Sequence, residues 1–298
     1  MLTISTIIGT SVATILPEFN SFAFQFGGFG IRWYAIAYLV GLLAGWYLLR
    51  REASHIGSPL RHETVDILLN YVLFGVIIGG RLGYILFYNS AYYLAHPLAM
   101  LRIWEGGMAF HGGLIGVGLA TWHVCRTHKV PVLRLADVAA AATPIGLFLG
   151  RCANFINAEL YGRPTDSAFG MVFPQGYGSG GPPQAFDWES KEWLYRGDEV
   201  ARHPSQLYEA ALEGLLLFIV IAIAIWAFKA LSRPGLVSGI FLVGYAIGRS
   251  IAERFRLPDA FVEGLPDWMT MGTLLSIPMV LLGLYLVVRA ARSPASPP

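Results

Sequence analysis

Seven apolar stretches constrain the fold of this chain more than any other feature of its sequence. A helix needs about 20 predominantly apolar residues to cross the hydrocarbon core of a bilayer. Stretches near that length lie at residues 31–49, 66–88, 108–125, 136–156, 207–228, 235–252 and 269–288. We therefore predict an all-α integral membrane protein with seven transmembrane helices, which form a single polytopic membrane domain over residues 1–298.

The composition supports a membrane protein and argues against several other classes. Charged residues make up 13% of the 298-residue chain, whereas about a quarter of the residues in a soluble domain are charged. The net charge of +2 is too small to indicate nucleic-acid binding. The two cysteines form neither a disulfide framework nor a CxxC motif, so we expect no metal site and no cofactor.

Polar segments and basic residues between the apolar stretches predict how the chain is arranged in the membrane. Residues 157–206 are polar and rich in glycine, proline and aromatic residues, which favours a small structured head between helices four and five over a disordered linker. Residues 291–298 predict a disordered tail. Basic residues concentrate on one set of connections, namely Arg50, Arg51, Arg61, Arg126, Lys129, Arg134, Lys229, Arg233, Arg289 and Arg292. The positive-inside rule makes this side and the tail cytoplasmic, and it places the N-terminus and the head on the outer side.

Three glycine–arginine pairs lie inside predicted helices, although an arginine at the centre of a membrane helix costs about 2.5–3.5 kcal/mol. The pairs are Gly80-Arg81, Gly150-Arg151 and Gly248-Arg249, on helices two, four and six. Each arginine lies roughly 20–24 Å from the cytoplasmic start of its helix. One interpretation is that each side chain extends to the outer head groups. The common depth and the preceding glycines, which allow close helix approach, favour arginines that face the helix bundle.

Other polar residues cluster toward the same side of the membrane. Glu253 follows Arg249 by four positions and therefore shares its helix face, and Asn154 follows Arg151 by three. The outer ends of other helices contribute Tyr34, His111, Glu209 and Glu213. Because arginine binds phosphate through two parallel hydrogen bonds, these residues predict a pocket for an anionic lipid head group that is entered from the bilayer.

The sequence contains no motif of a catalytic nucleophile. There is no HExxH, no GxSxG and no Walker loop. Cys152 lies in an apolar context, which favours packing over nucleophilic catalysis. His203 is either part of the site or a helix-entry residue with Ser205 as N-cap. If chemistry takes place, direct transfer between two bound substrates, with a stabilised phosphate leaving group, fits better than a covalent intermediate.

Six sequence blocks carry a resemblance to one known family. In chain order they read RWYAIAYLVG, GGRLGYILFYN, WEGGMAFHGGLIG, GRCANFINAELYGRPT, HPSQLYEAALEG and GYAIGRSIAERFRLPD. With these blocks the chain resembles the prolipoprotein diacylglyceryl transferases along nearly its whole length. The resemblance implies a multi-pass enzyme of the bacterial inner membrane, with seven transmembrane helices and a periplasmic head and site. It also implies transfer of the diacylglyceryl group of phosphatidylglycerol to the lipobox cysteine thiol of a prolipoprotein, with release of glycerol 1-phosphate.

The resemblance further implies functional roles for individual residues. These residues are Tyr34, His111, Arg151, Asn154, Glu159, Gly162, Tyr245, Arg249 and Glu253. We expect Arg81 and His203 to contribute to substrate binding as well. The thiol proton goes to His111 or Glu159, and the near-neutral pKa of an ordinary histidine favours His111.

The mechanism that we expect assigns two of the arginines to the phosphate. Arg151 and Arg249 hold the phosphate of phosphatidylglycerol and stabilise the departing glycerol phosphate. Asn154 orients this pair through a hydrogen bond, and Glu253 orients it through an ion pair. The expected partners are thus phosphatidylglycerol, prolipoprotein signal peptides with a lipobox cysteine and the surrounding membrane lipids, with no nucleic acid.

Two other functions fit a membrane bundle that contains charged residues. A transporter or lipid flippase commonly binds its substrate near the midplane and has paired repeats with broken helices. Here the polar residues concentrate on one side of the membrane, which favours the transferase. A non-catalytic receptor that binds signal peptides through the head is the second alternative, and a product assay distinguishes all three.

Overall fold

A computed structural model describes most of the chain. The described residues are 5–8, 11–15, 22–26, 29–55, 58, 60–103, 106–173, 185–186, 193–194, 200–257 and 269–294. Much of the predicted head (residues 157–206) lies outside them, as do residues 295–298 of the predicted tail. The disorder of the tail therefore stays a prediction.

Helices make up most of the described chain. The α-helices are α1 (Trp33–Ala53), α2 (His62–Tyr88), α3 (Ser90–Ala95), α4 (Phe110–Thr127), α5 (Val132–Ile156), α6 (Ser205–Glu209), α7 (Leu217–Phe228), α8 (Leu236–Ala252) and α9 (Met271–Arg292). A π-helical segment, Ala210–Leu216, joins α6 to α7, and 3-10 turns form at Pro97–Leu101 and Ala230–Ser232. Each of the seven predicted apolar stretches overlaps a helix of this series.

Five helical runs are long and apolar enough to cross a membrane. They are α1, α2, α5, the continuous run Ser205–Phe228 and α9. Helix α8 is apolar but shorter, at 17 residues. The chain is therefore a mostly helical membrane protein, as its sequence predicts.

Short strands accompany the helices, and the sequence analysis did not predict them. They are β1 (Ser5–Ile8), β2 (Ser11–Ile15), β3 (Phe22–Phe26), β4 (Phe29–Arg32), β5 (Met171–Val172), β6 (Ala185–Phe186) and β7 (Trp193–Leu194). β2 pairs antiparallel with β1 and parallel with β5, with Thr14 opposite Met171. The pairs β3–β4 and β6–β7 are antiparallel. Strands of two to five residues are too short to give a clear alternating pattern, which explains why they were missed.

The chain divides into two compact units. Unit 1 contains Met1–Gly45 and Ala140–Ala295, and unit 2 contains Trp46–Ala139 together with Ser296–Pro298. Within unit 2, α2 and α4 pack through facing glycines. A Cβ atom at Gly83 would lie 2.8 Å from the Cα atom of Gly112, so a larger residue would force the two helices apart.

Unit 1 is organised around the packing of α8 against α9 and of α7 against α8. A Cβ atom at Gly239 of α8 would lie 2.8 Å from the carbonyl oxygen of Gly283 of α9, so this pair also packs backbone against backbone. Buried apolar residues join α5, α7 and α8, namely Ala140, Ala141, Leu217, Ile221, Ala224, Ala230 and Val237. This packing fixes the helices whose ends carry the polar residues described next.

Candidate active site

Three arginine and three glutamate side chains of unit 1 converge at the ends of α5, α6 and α8. They are Arg151, Glu209, Glu213, Arg249, Glu253 and Arg256, and we call them the arginine–glutamate cluster. The structure thus brings together two of the three arginines of the glycine–arginine pairs. It adds the glutamates that the sequence placed on the same side of the membrane.

Glu209 is the centre of this cluster. Its side chain is fully buried, and its Oε2 atom lies 2.6 Å from Nη2 of Arg151 and 3.2 Å from Nη1 of Arg249. Nη1 of Arg256 lies 3.3 Å from the same oxygen. A buried carboxylate is tolerated only when cations and hydrogen-bond donors surround it, and here three guanidinium groups do so.

Glu213 lies one turn further along and is also fully buried. Its carboxylate oxygens lie 3.5 Å from Nη2 of Arg151 and 4.0 Å from Nη1 of Arg249, so these ion pairs are longer than those of Glu209. Glu213 belongs to the π-helical segment, where Gly214 packs closely on the backbone of Phe148. Single π-helical turns occur frequently at functional sites because they alter which side chains share a face.

Arg151 and Arg249 are more exposed than the two central carboxylates with which they pair. The side chains of Arg151 and Arg249 are 17% and 11% exposed, whereas those of Glu209 and Glu213 are 0% exposed. The predicted ion pair between Arg249 and Glu253 is present, with Nη2 and Oε2 3.0 Å apart. Two fixed and partly exposed guanidinium groups can bind a phosphate through parallel hydrogen bonds.

A second polar network joins the end of α5 to the start of α1. The hydroxyl group of Tyr34 donates a 2.5 Å hydrogen bond to Oε1 of Glu159 and accepts one from Nδ2 of Asn154. Nδ2 of Asn157 donates to the same Glu159 oxygen at 3.0 Å. The backbone of Glu159 is held as well, because Nε2 of Gln206 donates to its carbonyl oxygen at 2.7 Å. Glu159 is thus a carboxylate in a fixed orientation.

The contacts of Asn154 differ from those that we expected. We predicted a hydrogen bond that orients the arginine pair, but Asn154 donates to Tyr34 instead. Arg151 is held by the two buried glutamates. The three-residue spacing does place Asn154 near Arg151 along α5, but its amide faces the start of α1.

Gly162 has a structural role that its position in the sequence motif did not reveal. Its N–H group donates to the carbonyl oxygen of His203 at 2.8 Å, and the N–H group of Arg163 donates to that of Phe255 at 2.9 Å. A Cβ atom at residue 162 would lie 2.7 Å from the His203 carbonyl oxygen. The glycine therefore allows three chain segments to meet beside Arg256, which forms a backbone bridge with Gly162.

Arg256 is a member of the arginine–glutamate cluster that the sequence analysis missed. It is 95% buried and pairs with Glu209, although it lies beyond the last residue of α8. The sequence did contain one indication of its position. Arg256 follows Arg249 by seven residues, and residues seven apart share a helix face. The turn that follows Ala252 keeps Arg256 near that face.

His203 and Ser205 support the chain that leads into α6. The N-cap position is occupied by Pro204 and lacks a side-chain cap, so the interpretation of Ser205 as N-cap is wrong. Ser205 instead donates from Oγ to the carbonyl oxygen of Leu160 at 3.1 Å. The ring of His203 packs against Tyr208 and Phe255, and this burial lowers the pKa of His203 below its ordinary value. These contacts favour the helix-entry interpretation of His203.

Arg81 does not have the free guanidinium group that a substrate-binding role requires. It donates from Nε to Met100, from Nη1 to Gly106 and Gly107, and from Nη2 to Ala99 and Arg102, always to carbonyl oxygens. These contacts use all five N–H groups of the side chain. These contacts favour a structural role for Arg81, which holds the connection between α3 and α4 in unit 2, and substrate binding by this residue stays a prediction.

The remaining predicted residues lie in different parts of the molecule. His111 is in the first turn of α4 and exposed, in unit 2. Tyr245 is on α8 in unit 1, within electrostatic range of Glu213 and Arg249. Cys152, next to Arg151, is a half-buried free thiol. Among the described residues, no group of three or more histidine, cysteine, aspartate or glutamate side chains could hold a metal ion.

A family model described as prolipoprotein diacylglyceryl transferase matches residues 21–289, a range that includes the whole arginine–glutamate cluster. The chain belongs to this family. A relative from Cereibacter sphaeroides is 48% identical over 296 residues, which cover 94% of this chain and 97% of the relative. A relative from Rhodospirillum rubrum is 46% identical over 280 residues (93% and 94%), and one from Rickettsia felis is 42% identical over 274 residues (92% and 98%).

All three relatives are named phosphatidylglycerol–prolipoprotein diacylglyceryl transferase. Because the alignments cover more than nine-tenths of both chains, the similarity is that of whole proteins rather than of a shared segment. The prolipoprotein diacylglyceryl transferase family is thus identified by sequence.

Proposed function

We propose that this chain transfers the diacylglyceryl group of phosphatidylglycerol to the thiol of the lipobox cysteine of a prolipoprotein, and that it releases glycerol 1-phosphate. The activity is that of its family and is the first step of bacterial lipoprotein maturation. The cluster around Glu209 is the site that we assign to the phosphate of the lipid.

One observation carries this assignment. Arg151 and Arg249 donate to the same buried carboxylate oxygen, and both guanidinium groups remain partly exposed. Holding two long side chains in advance removes the entropy loss that a phosphate would otherwise impose when it binds. The cluster can therefore stabilise the charge that develops on the leaving phosphate without reorganising.

The proposed reaction is a direct displacement. The sulfur of the substrate cysteine attacks the glyceryl carbon that bears the phosphate ester, an S–C bond forms and a C–O bond breaks. The electron pair of the broken bond goes to the phosphate oxygen, where Arg151 and Arg249 stabilise it. The thiol proton goes to His111 or to Glu159, because the thiolate is the nucleophilic form.

The two candidate proton acceptors differ in their surroundings. Oε1 of Glu159 already accepts hydrogen bonds from Tyr34 and Asn157, so donors of the protein occupy this oxygen. We therefore keep His111 as the preferred acceptor and assign Glu159 to positioning. Tyr245 and Glu253 line the phosphate side of the site in this proposal, and Asn154 supports Tyr34.

The same proposal includes the arrangement in the membrane. We infer seven transmembrane helices in a single membrane domain, formed by α1, α2, α4, α5, the run Ser205–Phe228, α8 and α9. The basic connections make one side cytoplasmic, so residues 157–206 form a periplasmic head and the C-terminal tail is cytoplasmic. In a bacterial cell this membrane is the inner membrane.

A product assay with purified protein tests the proposed function. Phosphatidylglycerol and a lipobox peptide are added together, and the peptide mass and released glycerol phosphate are measured. We expect a diacylglyceryl mass increase and an equal amount of glycerol phosphate, and neither with a peptide whose cysteine is replaced by serine. Lipid movement without product would support a flippase, and peptide binding without product would support a receptor.

A further inference from the structure

The first turn of α9 lies against the ion pair between Arg249 and Glu253. Thr270 is the N-cap of this helix, and its side chain accepts a hydrogen bond from the N–H group of Thr273 at 3.3 Å. Gly272 is therefore the second residue of α9. Its carbonyl oxygen accepts a 2.8 Å hydrogen bond from Oγ of the buried Ser276, so the position of this turn is well defined.

Backbone conformation does not explain a glycine at this position. Gly272 is not among the residues with positive φ, so an L-residue can adopt its conformation. Glycine also disfavours helix formation relative to alanine. The feature that favours glycine here is instead the limited space around its Cα atom.

The three nearest atoms around this space belong to the ion pair. A Cβ atom at residue 272 would lie 2.7 Å from Oε2 of Glu253, 2.9 Å from its Cδ atom and 3.0 Å from Nε of Arg249. To reach an ordinary contact distance of 3.4 Å, the Glu253 carboxylate would have to move by about 0.7 Å. Because Glu253 is buried and its Oε2 atom forms an ion pair with Nη2 of Arg249 at 3.0 Å, this movement would carry the Arg249 guanidinium with it.

We propose that Gly272 is a positioning residue of the transfer reaction: its missing side chain lets α9 hold the Arg249–Glu253 pair in the geometry that the lipid phosphate requires. This inference rests on the phosphate role assigned to Arg249 above. It differs from a packing role, because the obstructing atoms are the ends of side chains. At Gly283 of the same helix, by contrast, the carbonyl oxygen of Gly239 is among the obstructing atoms.

The test is the variant Gly272→Ala in full-length purified enzyme. A misplacement of about 1 Å at a reacting centre can cost about a hundredfold in rate, so we expect kcat/KM for phosphatidylglycerol to fall by about ten- to a hundredfold. The KM for the lipobox peptide and the Tm should stay close to those of the wild type. Gly118→Ala is the matched control, because nothing lies within 4 Å of a Cβ atom at that helical position.

A second variant separates displacement from other effects. The substitution Glu253→Asp shortens the side chain by one methylene group and leaves space for the new methyl group of Gly272→Ala. The double variant that combines Gly272→Ala with Glu253→Asp should therefore be at least as active as Gly272→Ala alone. Unchanged kcat/KM in folded Gly272→Ala, or a double variant that combines both losses in full, would overturn the inference. A Gly272→Ala protein that does not fold would also overturn the inference, because it would show that the Arg249 and Glu253 side chains cannot move aside for the new methyl group.

The variant Arg249→Lys keeps the two proposals distinguishable. If Arg249→Lys has wild-type activity, the phosphate role of Arg249 is wrong. If Arg249→Lys is impaired while Gly272→Ala is not, the phosphate role stands and the positioning role of Gly272 is wrong.

Discussion

Nη2 of Arg151 lies 2.6 Å from Oε2 of Glu209, and this short ion pair joins the end of α5 to α6 inside a membrane protein. The carboxylate is fully buried, whereas the guanidinium group is 17% exposed. The buried carboxylate of Glu209 therefore fixes the position of the Arg151 guanidinium group, and part of that group stays exposed. Each of the first two predictions removes one side of this pair.

The variant Glu209→Gln should be less stable and nearly inactive. Removing one partner of a buried ion pair costs about 3–5 kcal/mol, because the remaining charges lose their compensation. Two further arginines, Arg249 and Arg256, pair with the same carboxylate and would lose their orientation. We expect a lower Tm in detergent, together with a loss of turnover that persists at temperatures where the variant is folded.

The control for this variant is an exposed ion pair. Asp66 pairs with Arg50 at 3.1 Å, but their side chains are 48% and 36% exposed. Exposed pairs contribute about 0–1 kcal/mol, so Asp66→Asn should leave the Tm nearly unchanged. Equal effects of the two variants on Tm would contradict the central role of Glu209.

The variant Arg151→Lys should fold but turn over slowly. Lysine keeps the charge and can still pair with Glu209, but it lacks the planar group that makes two parallel hydrogen bonds to a phosphate. Removing one donor to a developing oxyanion costs about 10²–10³ in kcat, and we expect a loss of that order. Arg254→Lys is the control, since Arg254 is exposed in the turn that follows α8. Near-normal kcat of Arg151→Lys in a purified assay would exclude two-point phosphate binding.

The positions of the two central arginines could be predicted from the sequence because a charge in a membrane helix is costly. Arg151 and Arg249 stand out against apolar neighbours, and the predicted spacing of Glu253 from Arg249 is confirmed by their ion pair. Each of the seven apolar stretches overlaps a helix, because their length and composition suffice to predict one.

The same reasoning did not reveal the contacts of Arg81, because depth in a helix does not show what a side chain contacts. Arg81 has the same glycine–arginine pattern, yet its five N–H groups go to carbonyl oxygens of a connection that has no sequence signal of its own. The importance of Gly162 and Gly272 could not be predicted from the sequence either. Their importance comes from chain segments that are distant in the sequence, and only the three-dimensional structure brings these together.

The variant Tyr34→Phe should lower activity without unfolding the protein. The hydroxyl group connects Asn154 to Glu159, and its removal leaves both side chains without that partner. A buried polar group that loses its partner costs about 1–3 kcal/mol, and tenfold in rate corresponds to about 1.4 kcal/mol. We therefore expect kcat to fall about tenfold. Tyr38→Phe, one turn further along α1 at a 75% exposed position, should match the wild type.

Acid should destabilise the protein partly through His203. Burial holds the pKa of His203 below its ordinary value of 6.5, so the unfolded chain binds the proton more readily than the folded one. The stabilisation is present above pH 6.5 and is lost as the pH falls toward the lower pKa of the folded state. In a series of Tm measurements, the wild type should lose more stability below pH 6.5 than His203→Gln does. Parallel curves would show that His203 does not contribute.

The variant Arg81→Lys tests whether this arginine stabilises the fold or binds substrate. Lysine has three N–H donors where arginine has five, so at least two of the carbonyl oxygens around residue 81 would lose their partner. Each buried group left unsatisfied costs about 1–3 kcal/mol, so we expect a clearly lower Tm. The kcat/KM of the folded fraction should remain at the wild-type value, because no N–H group of Arg81 is available to a phosphate. A loss of turnover at unchanged Tm would instead restore the substrate-binding role that the sequence predicts.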